Sequence, residues 1–446
     1  MPRHVVIIHG WSDTAKSFGR LAEHLQKNLR AVTHVFDLAD WRSMDDDVTY
    51  ADLAQAMQRA WLAHGLPQTP GSVDLVVHST GALVAREWMT TFHAPESVPI
   101  KRFLMLAPAN FGSPLAHKGQ SFIGRAVKGW KHGFETGKQI LRGLELASPY
   151  AWRLAERDVF VKPSQRWYGA GRILATVLIG NTGYRGIESI ANEEGSDGTV
   201  RIAGANLNAQ LLELDFERGS ETPTARLRTS TGDIAFGVLD GENHSTIARK
   251  DKGFISPHTG ELILQALRVD DAQFPQQARA PFAWQQQLAQ LAPVSAEAGA
   301  GFQNTVVHLH DDFGQDITDY FFEFYRSLRN SDHRFEERFY REVIGKRVHP
   351  YGLNEAYRCF NLDVRALDRL RSDYAIDPLY LSVAASPEFR PNKQFVGYRS
   401  FGEGDLGRYA IPGAALDTHF EGGRTVLIRI GIPRWVDDSV FRLSRS

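Results

Sequence analysis

Residues Ser72–Val84 read S-V-D-L-V-V-H-S-T-G-A-L-V: an apolar run, a His-Ser-Thr-Gly turn, then the start of a helical pattern. A buried strand that enters a helix through so tight a turn forces the turn residue, Ser79, into a strained backbone conformation. Its hydroxyl then stands clear of the sheet. It lies beside the positive end of the following helix, and the backbone N–H of Thr80 falls where a developing oxyanion is received. Such an elbow is usually written G-x-S-x-G; here Val77 replaces the first glycine and Gly81 keeps the last.

Working outward, His4–Ser12 read H-V-V-I-I-H-G-W-S, an apolar strand ending in His-Gly-Trp. A glycine after a buried strand lets backbone approach a ligand, which makes the N–H of Trp11 the natural second oxyanion donor. Downstream of the apolar strand Ala175–Gly180 comes E-G-S-D-G-T-V, with Asp197 between small residues, and later D-G-E-N-H-S-T-I, with His244 in a polar loop. Serine, then acid, then histidine is one of the known chain orders of a catalytic triad, distinct from the trypsin-like and subtilisin-like orders. Asp240, Glu242 and Glu194 are rivals to Asp197 as the acid. His9 and His78, which flank the turn, read as orienting or packing residues. Ser113 also follows a strand, but Pro114 prevents a helix-entry elbow there.

These pieces, H-G-W, V-H-S-T-G, L-A-P-A-N-F-G-S-P-L (Leu106–Leu115), G-S-D-G-T-V and N-H-S-T-I, resemble the α/β-hydrolase superfamily and, within it, the bacterial lipases. The resemblance covers roughly residues 1–270. It implies a serine hydrolase cleaving carboxylic esters of lipids, as a lipase, esterase or phospholipase, through a Ser79–Asp197–His244 triad and an acyl-enzyme, with no cofactor. The same triad also serves acyl transfer to an alcohol and thioester cleavage. A reading from another class is a non-catalytic protein that binds lipid or protein on a hydrolase scaffold.

The surrounding pattern predicts the matching architecture. Phe18, Leu21, Leu25 and Leu29 recur at helical spacing, Val32–Leu38 reads as a strand, Ala51–Ala63 as an amphipathic helix and Phe103–Ala107 as another strand. Such alternation argues for a mainly parallel sheet flanked by helices. Between 115 and 168 the rhythm breaks into a lid-like insertion. There Ile123, Val127, Trp130 and Phe134 form an apolar stripe with basic neighbours, read either as a lid helix that lies on lipid, with Trp130 and Phe134 the candidate substrate-binding residues, or as a helix whose apolar face packs permanently on the domain. From Asn206 to Asp240 alternating segments suggest an antiparallel excursion between acid and base.

Residues 271–301, rich in Ala, Gln and Pro, read as a linker with a helix near Trp284–Leu291. Beyond it, alternation at Leu379–Ala385 and Val426–Ile432 predicts a β-rich, sandwich-like accessory domain over 302–446. His308, His310, Asp316 and Asp319 in this region read as strand-end charges rather than a metal site. A hydrophobic content of 43% with 23% charged residues and a net charge of −1 describes a globular chain without the basic balance that nucleic acid requires. One cysteine, Cys359, excludes an intrachain disulfide. The N-terminus has no leader-like pattern and no apolar run is long enough to span a bilayer. The expectation is a cytoplasmic protein, or one exported without a cleavable signal. Its partners are a lipid or ester substrate and a lipid surface, met through the insertion or the C-terminal region.

Overall fold

Six apolar runs become the strands of one parallel sheet: β1 (Arg3–Ile8), β2 (Ala31–Phe36), β3 (Val73–His78), β4 (Ile100–Leu106), β5 (Leu174–Gly180) and β8 (Ile234–Leu239). Their spatial order is β2-β1-β3-β4-β5-β8. All six residues of β3 are buried, as are all of β5 and β8, which is why these strands read as continuous apolar runs rather than alternations. The computed structural model describes residues 3–10, 15–36, 46–116, 137–185, 192–217, 219–248, 257–275, 281–327, 332–345, 348–386, 400–402, 405–436 and 443.

Helices α1 (Gly19–Leu29), α2 (Tyr50–Ala63) and α3 (Gly81–Phe92) alternate with the first strands. Thr49 starts α2 with a capping box, accepting from the Asp52 N–H while Asp52 accepts from the Thr49 N–H at 2.8 Å. α3 is buried from Gly81 to Met89, the sign of a helix enclosed by its neighbours. Trp61 of α2 stacks on Trp88 of α3 at 4.8 Å, and the Trp88 indole N–H donates to Gln58. Two helices follow in the insertion, α4 (Lys138–Leu144) and α5 (Pro149–Asp158); residues 117–136, with Trp130 and Phe134, lie outside the described residues. Helix α6 (Pro257–Ala266) closes the sheet region. Helix α7 (Ala283–Leu291) packs on β8, with the buried Trp284 donating its indole N–H to Thr176 of β5 at 2.9 Å.

The chain forms two compact units. The first comprises 1–209, 229–301 and 423–425; the second comprises 210–228, 302–422 and 426–446. In the second, a mixed sheet has the order β11-β12-β9-β15-β6-β7, from β11 (Val348–Pro350), β12 (Tyr357–Asp363), β9 (Phe302–Asp311), β15 (Thr425–Ile432), β6 (Gln210–Asp215) and β7 (Thr224–Thr229). A three-stranded antiparallel sheet, β10-β13-β14, is built from β10 (Asp319–Tyr325), β13 (Leu379–Ser386) and β14 (Tyr409–Ile411). Leu212, Val307 and Ile430 of one sheet and Tyr320, Leu381 and Val383 of the other share an apolar cluster, so the two sheets face each other as in a sandwich.

Two features differ from the sequence expectation. The segment 210–228 is not a self-contained antiparallel excursion: β6 pairs in parallel with β15, from the far end of the chain. Helices α8 (His333–Arg338) and α9 (Val364–Asp373) add a second apolar cluster through Phe335, Phe339, Leu367 and Leu370.

Candidate active site

Because every strand of the first sheet runs the same way, its loops collect at one edge, outside the carboxyl ends of the strands. β3 delivers Ser79 there. From Val73 through Met89 every residue is buried except Ser79, and Ser79 takes φ of 55°, a left-handed conformation that costs an L-residue about 1–2 kcal/mol. The strain is held in place by packing. A Cβ added to Gly81 would lie 2.8 Å from the Ile8 carbonyl oxygen and 3.0 Å from that of His9, so only glycine lets α3 start this close to β1. A Cβ on Gly10 would lie 2.8 Å from Cβ of Ser79. Gly81 thus makes room for the end of β1, and Val77, where the elbow pattern has its first glycine, is buried.

The loop after β5 supplies Asp197, fully buried. Its Oδ1 accepts from the N–H groups of Thr199 at 2.9 Å and Val200 at 2.8 Å, leaving Oδ2 to His244 Nδ1 at 2.8 Å. Since a carboxylate accepts, Nδ1 carries the proton, and Nε2 presents its lone pair to Ser79 Oγ at 3.0 Å. The loop after β8 that carries His244 is fixed on several sides. Asn243 Oδ1 accepts from the N–H groups of Ser245 and Thr246, both at 2.9 Å, an Asx turn that shapes the loop. The His244 N–H donates to the Asp197 carbonyl at 3.1 Å, and the Glu242 carbonyl accepts from the Thr182 N–H at 2.9 Å.

The structure therefore brings together Ser79, His244 and Asp197, and puts two of the three rival carboxylates to other uses. Asp240 accepts from the Asn181 side chain at 3.0 Å, and Glu242 accepts from the Thr259 hydroxyl at 2.6 Å. His78 is buried and donates from Nε2 to the His244 carbonyl at 2.8 Å; its ring lies 4.7 Å from that of His244. Phe18 stacks on His9 and meets the His78 ring at a tilt. Ser113 donates to the Thr199 carbonyl at 2.6 Å, steadying the acid loop. Thr80 is buried at the start of α3, directly after Ser79. Trp11 lies outside the described residues. Sequence reading missed the bracing of the site: the Gly10 approach to Ser79 and the tether from His78 to the His244 loop. H-G-W and V-H-S-T-G contain both residues, but nothing in their spacing shows what they touch.

A second buried constellation lies on α3. Arg86, fully buried, donates to Asp158 of α5 from Nε at 2.6 Å and from Nη2 at 2.8 Å, and Tyr168 donates to the same carboxylate at 2.8 Å. Burial by itself pulls the Arg86 pKa down; the charge and hydrogen bonds of Asp158 outweigh it and leave the guanidinium more firmly protonated than usual. Burial, then the neighbouring Asp158, raises the Tyr168 phenol well above its ordinary value.

In the second unit, His308 pairs with Asp316 at 2.7 Å and stacks on Tyr357 at 4.0 Å. Among the described residues no group of three or more His, Cys, Asp or Glu is placed to hold a metal, and no helix is long and apolar enough to cross a membrane.

Comparison with known proteins bears on the family and the fold. Phospholipase PlaB from Legionella pneumophila superimposes with a TM-score of 0.79 at 24% identity, over 100% of this chain and 96% of that one; PlaB in complex with thio-NAD gives the same values. The mature Bacillus licheniformis lipase BlEst2 is 18% identical over 60% of this chain and 90% of its own, with a TM-score of 0.37. Among curated proteins, none matches the sequence significantly. The sequence profile of the alpha/beta hydrolase family matches residues 5–355, well over half of the chain. The chain belongs to the α/β hydrolase family.

Proposed function

We propose that this protein is a serine hydrolase that cleaves carboxylic esters of lipids, of the phospholipase type, with Ser79 as nucleophile, His244 as general base and acid, and Asp197 as its orienting carboxylate. The observation that carries the reading is the hydrogen-bonded line from Ser79 Oγ through His244 to Asp197, at 3.0 and 2.8 Å, with the serine held at positive φ. The choice of a lipid ester rests on the likeness to a phospholipase over nearly the whole of both chains.

His244 Nε2 takes the proton of Ser79 as Oγ attacks the acyl carbonyl, and Asp197 stabilises the imidazolium that forms. The N–H groups of Thr80 and Trp11 receive the oxyanion in this scheme. The imidazolium then protonates the departing alcohol. Water, deprotonated by the same histidine, attacks the acyl-enzyme and releases the acid with Ser79 restored. No cofactor enters the scheme. Trp130 and Phe134 belong to the insertion that meets the lipid.

Intact mass spectrometry after treatment with a fluorophosphonate tests the proposal. One adduct on Ser79, absent from Ser79→Ala, is the expected result, followed by turnover of phospholipid and short-chain esters. A folded wild-type protein inert to the probe would reject the nucleophile and favour a binding role on the same scaffold.

A further inference from the structure

The second unit contains a cavity whose lining shares no residue with the site above. It holds about 640 Å³ of atom-free space, part of it open to solvent. Strand alternation builds its walls: Gln303, Thr305 and Val307 succeed one another on one face of β9, and Val426, Ile428 and Ile430 on one face of β15. Phe322 and Phe324 of β10 face them from the three-stranded sheet.

This space separates what would otherwise be one core. Leu212, Val307 and Leu381 belong to one apolar cluster, Leu362, Ile411 and Phe420 to the other, and all six line the cavity. Phe324 and Phe360 pack against both clusters yet remain only partly buried. Protein interiors are close-packed, so partly exposed phenylalanines along such a seam mark room for an apolar guest.

The few polar groups gather at one end. β6 and β15 run parallel with Gln210 opposite Val426, and the Asp312 N–H donates to the Ile432 carbonyl where β9 and β15 finish, so the three strands begin together. Gln303 and Thr305, near the start of β9, bond each other at 2.9 Å, and Gln303 Oε1 accepts from the Glu421 N–H at 2.7 Å. Gln210, the first residue of β6, is 2% exposed, and its Oε1 has no hydrogen-bond partner among the described residues. A buried acceptor without such a partner, in a wall that is hydrocarbon apart from Gln303, Thr305 and His419, calls for a ligand with one donor and a long apolar body.

We propose that this cavity binds one long-chain fatty acid, its tail between the two sheets and its carboxylic acid, protonated on burial, donating to Gln210 Oε1. Photocrosslinking the full-length protein with a diazirine-bearing fatty acid tests this directly. The label is expected on lining residues such as Leu212, Val307 and Phe360; a label confined to residues outside the lining overturns the proposal. Titration with a fluorescent polyene fatty acid should saturate at one site per chain that Leu381→Trp weakens about tenfold, equivalent to excluding roughly two methylenes. Binding undiminished in a Leu381→Trp protein that keeps the wild-type circular dichroism spectrum overturns it as well. Because neither readout requires turnover, failure here and failure of the hydrolase proposal are separable.

Discussion

Helix α3 has a buried carboxylate at each of two places, and the two are used in opposite ways. Asp158, against the helix body, is saturated by a permanent cation and a phenol: Arg86 twice and Tyr168 once. Asp197, near the helix start, receives two backbone N–H groups and one imidazole. An arginine never gives up its proton, so the Asp158 charge is spent on holding α3 to α5. A histidine is neutral until it takes a proton, so under the proposed mechanism the Asp197 charge is kept for an imidazolium formed only during turnover. Both carboxylates are fully buried, and burial alone does not tell them apart. The partner does.

The comparison can be broken at either end. The largest effect is expected for Ser79→Ala, a loss of turnover on the order of 10⁶-fold, as for other serine nucleophiles, with an unchanged circular dichroism spectrum. Asp197→Asn should lower kcat by about 10⁴-fold, because the amide no longer holds the productive histidine tautomer. Its melting temperature should change far less than that of Asp158→Asn. The latter leaves a buried guanidinium without its counter-charge, and chemical denaturation should show a loss of about 3–5 kcal/mol while the folded fraction keeps its kcat. If Asp158→Asn slowed turnover without loss of stability, the division of labour drawn above would be wrong. Gly81→Ala presses a methyl against the backbone of Ile8 and His9, and a cost of about 1–3 kcal/mol is expected from its denaturation midpoint. The smallest effect separates two inactive variants: Ser79→Gly should be more stable than Ser79→Ala by about 1 kcal/mol, since glycine adopts positive φ without strain.

The parts of this molecule that could be read from its sequence are those with a local cause. β3, its turn and α3 announce themselves because an apolar run, a short polar turn and a helical repeat are adjacent in the chain. The neighbourhood of Ser79, Asp197 and His244 was legible for a related reason: in a parallel sheet, loops that follow strands end at the same edge. The Arg86–Asp158 pair was not legible, because charged residues in helical segments ordinarily face water and only the three-dimensional enclosure of α3 buries them. Nor was the allegiance of β6 and β7. Alternation reveals a strand but does not name its partner, and the partner of β6 lies near the other end of the chain. In α9, Ala366, Leu367 and Leu370 do fall at helical spacing, but so short a repeat does not stand out in a region whose plainest pattern is the alternation of Leu379–Ala385 and Val426–Ile432.

That parallel pair, β6 with β15, also sets a timetable. β6 leaves the ribosome between the segments that carry Asp197 and His244, whereas β15 is the last of the described strands to be made. Until it arrives, one edge of β6 presents unpaired backbone amides and carbonyls, the condition that invites pairing with another chain. The segment joining Asp197 to His244 therefore passes through a strand that stays incomplete until β15 has been made. A chaperone that shields exposed strand edges should raise the yield of this protein more than that of hydrolases whose sheets close in chain order.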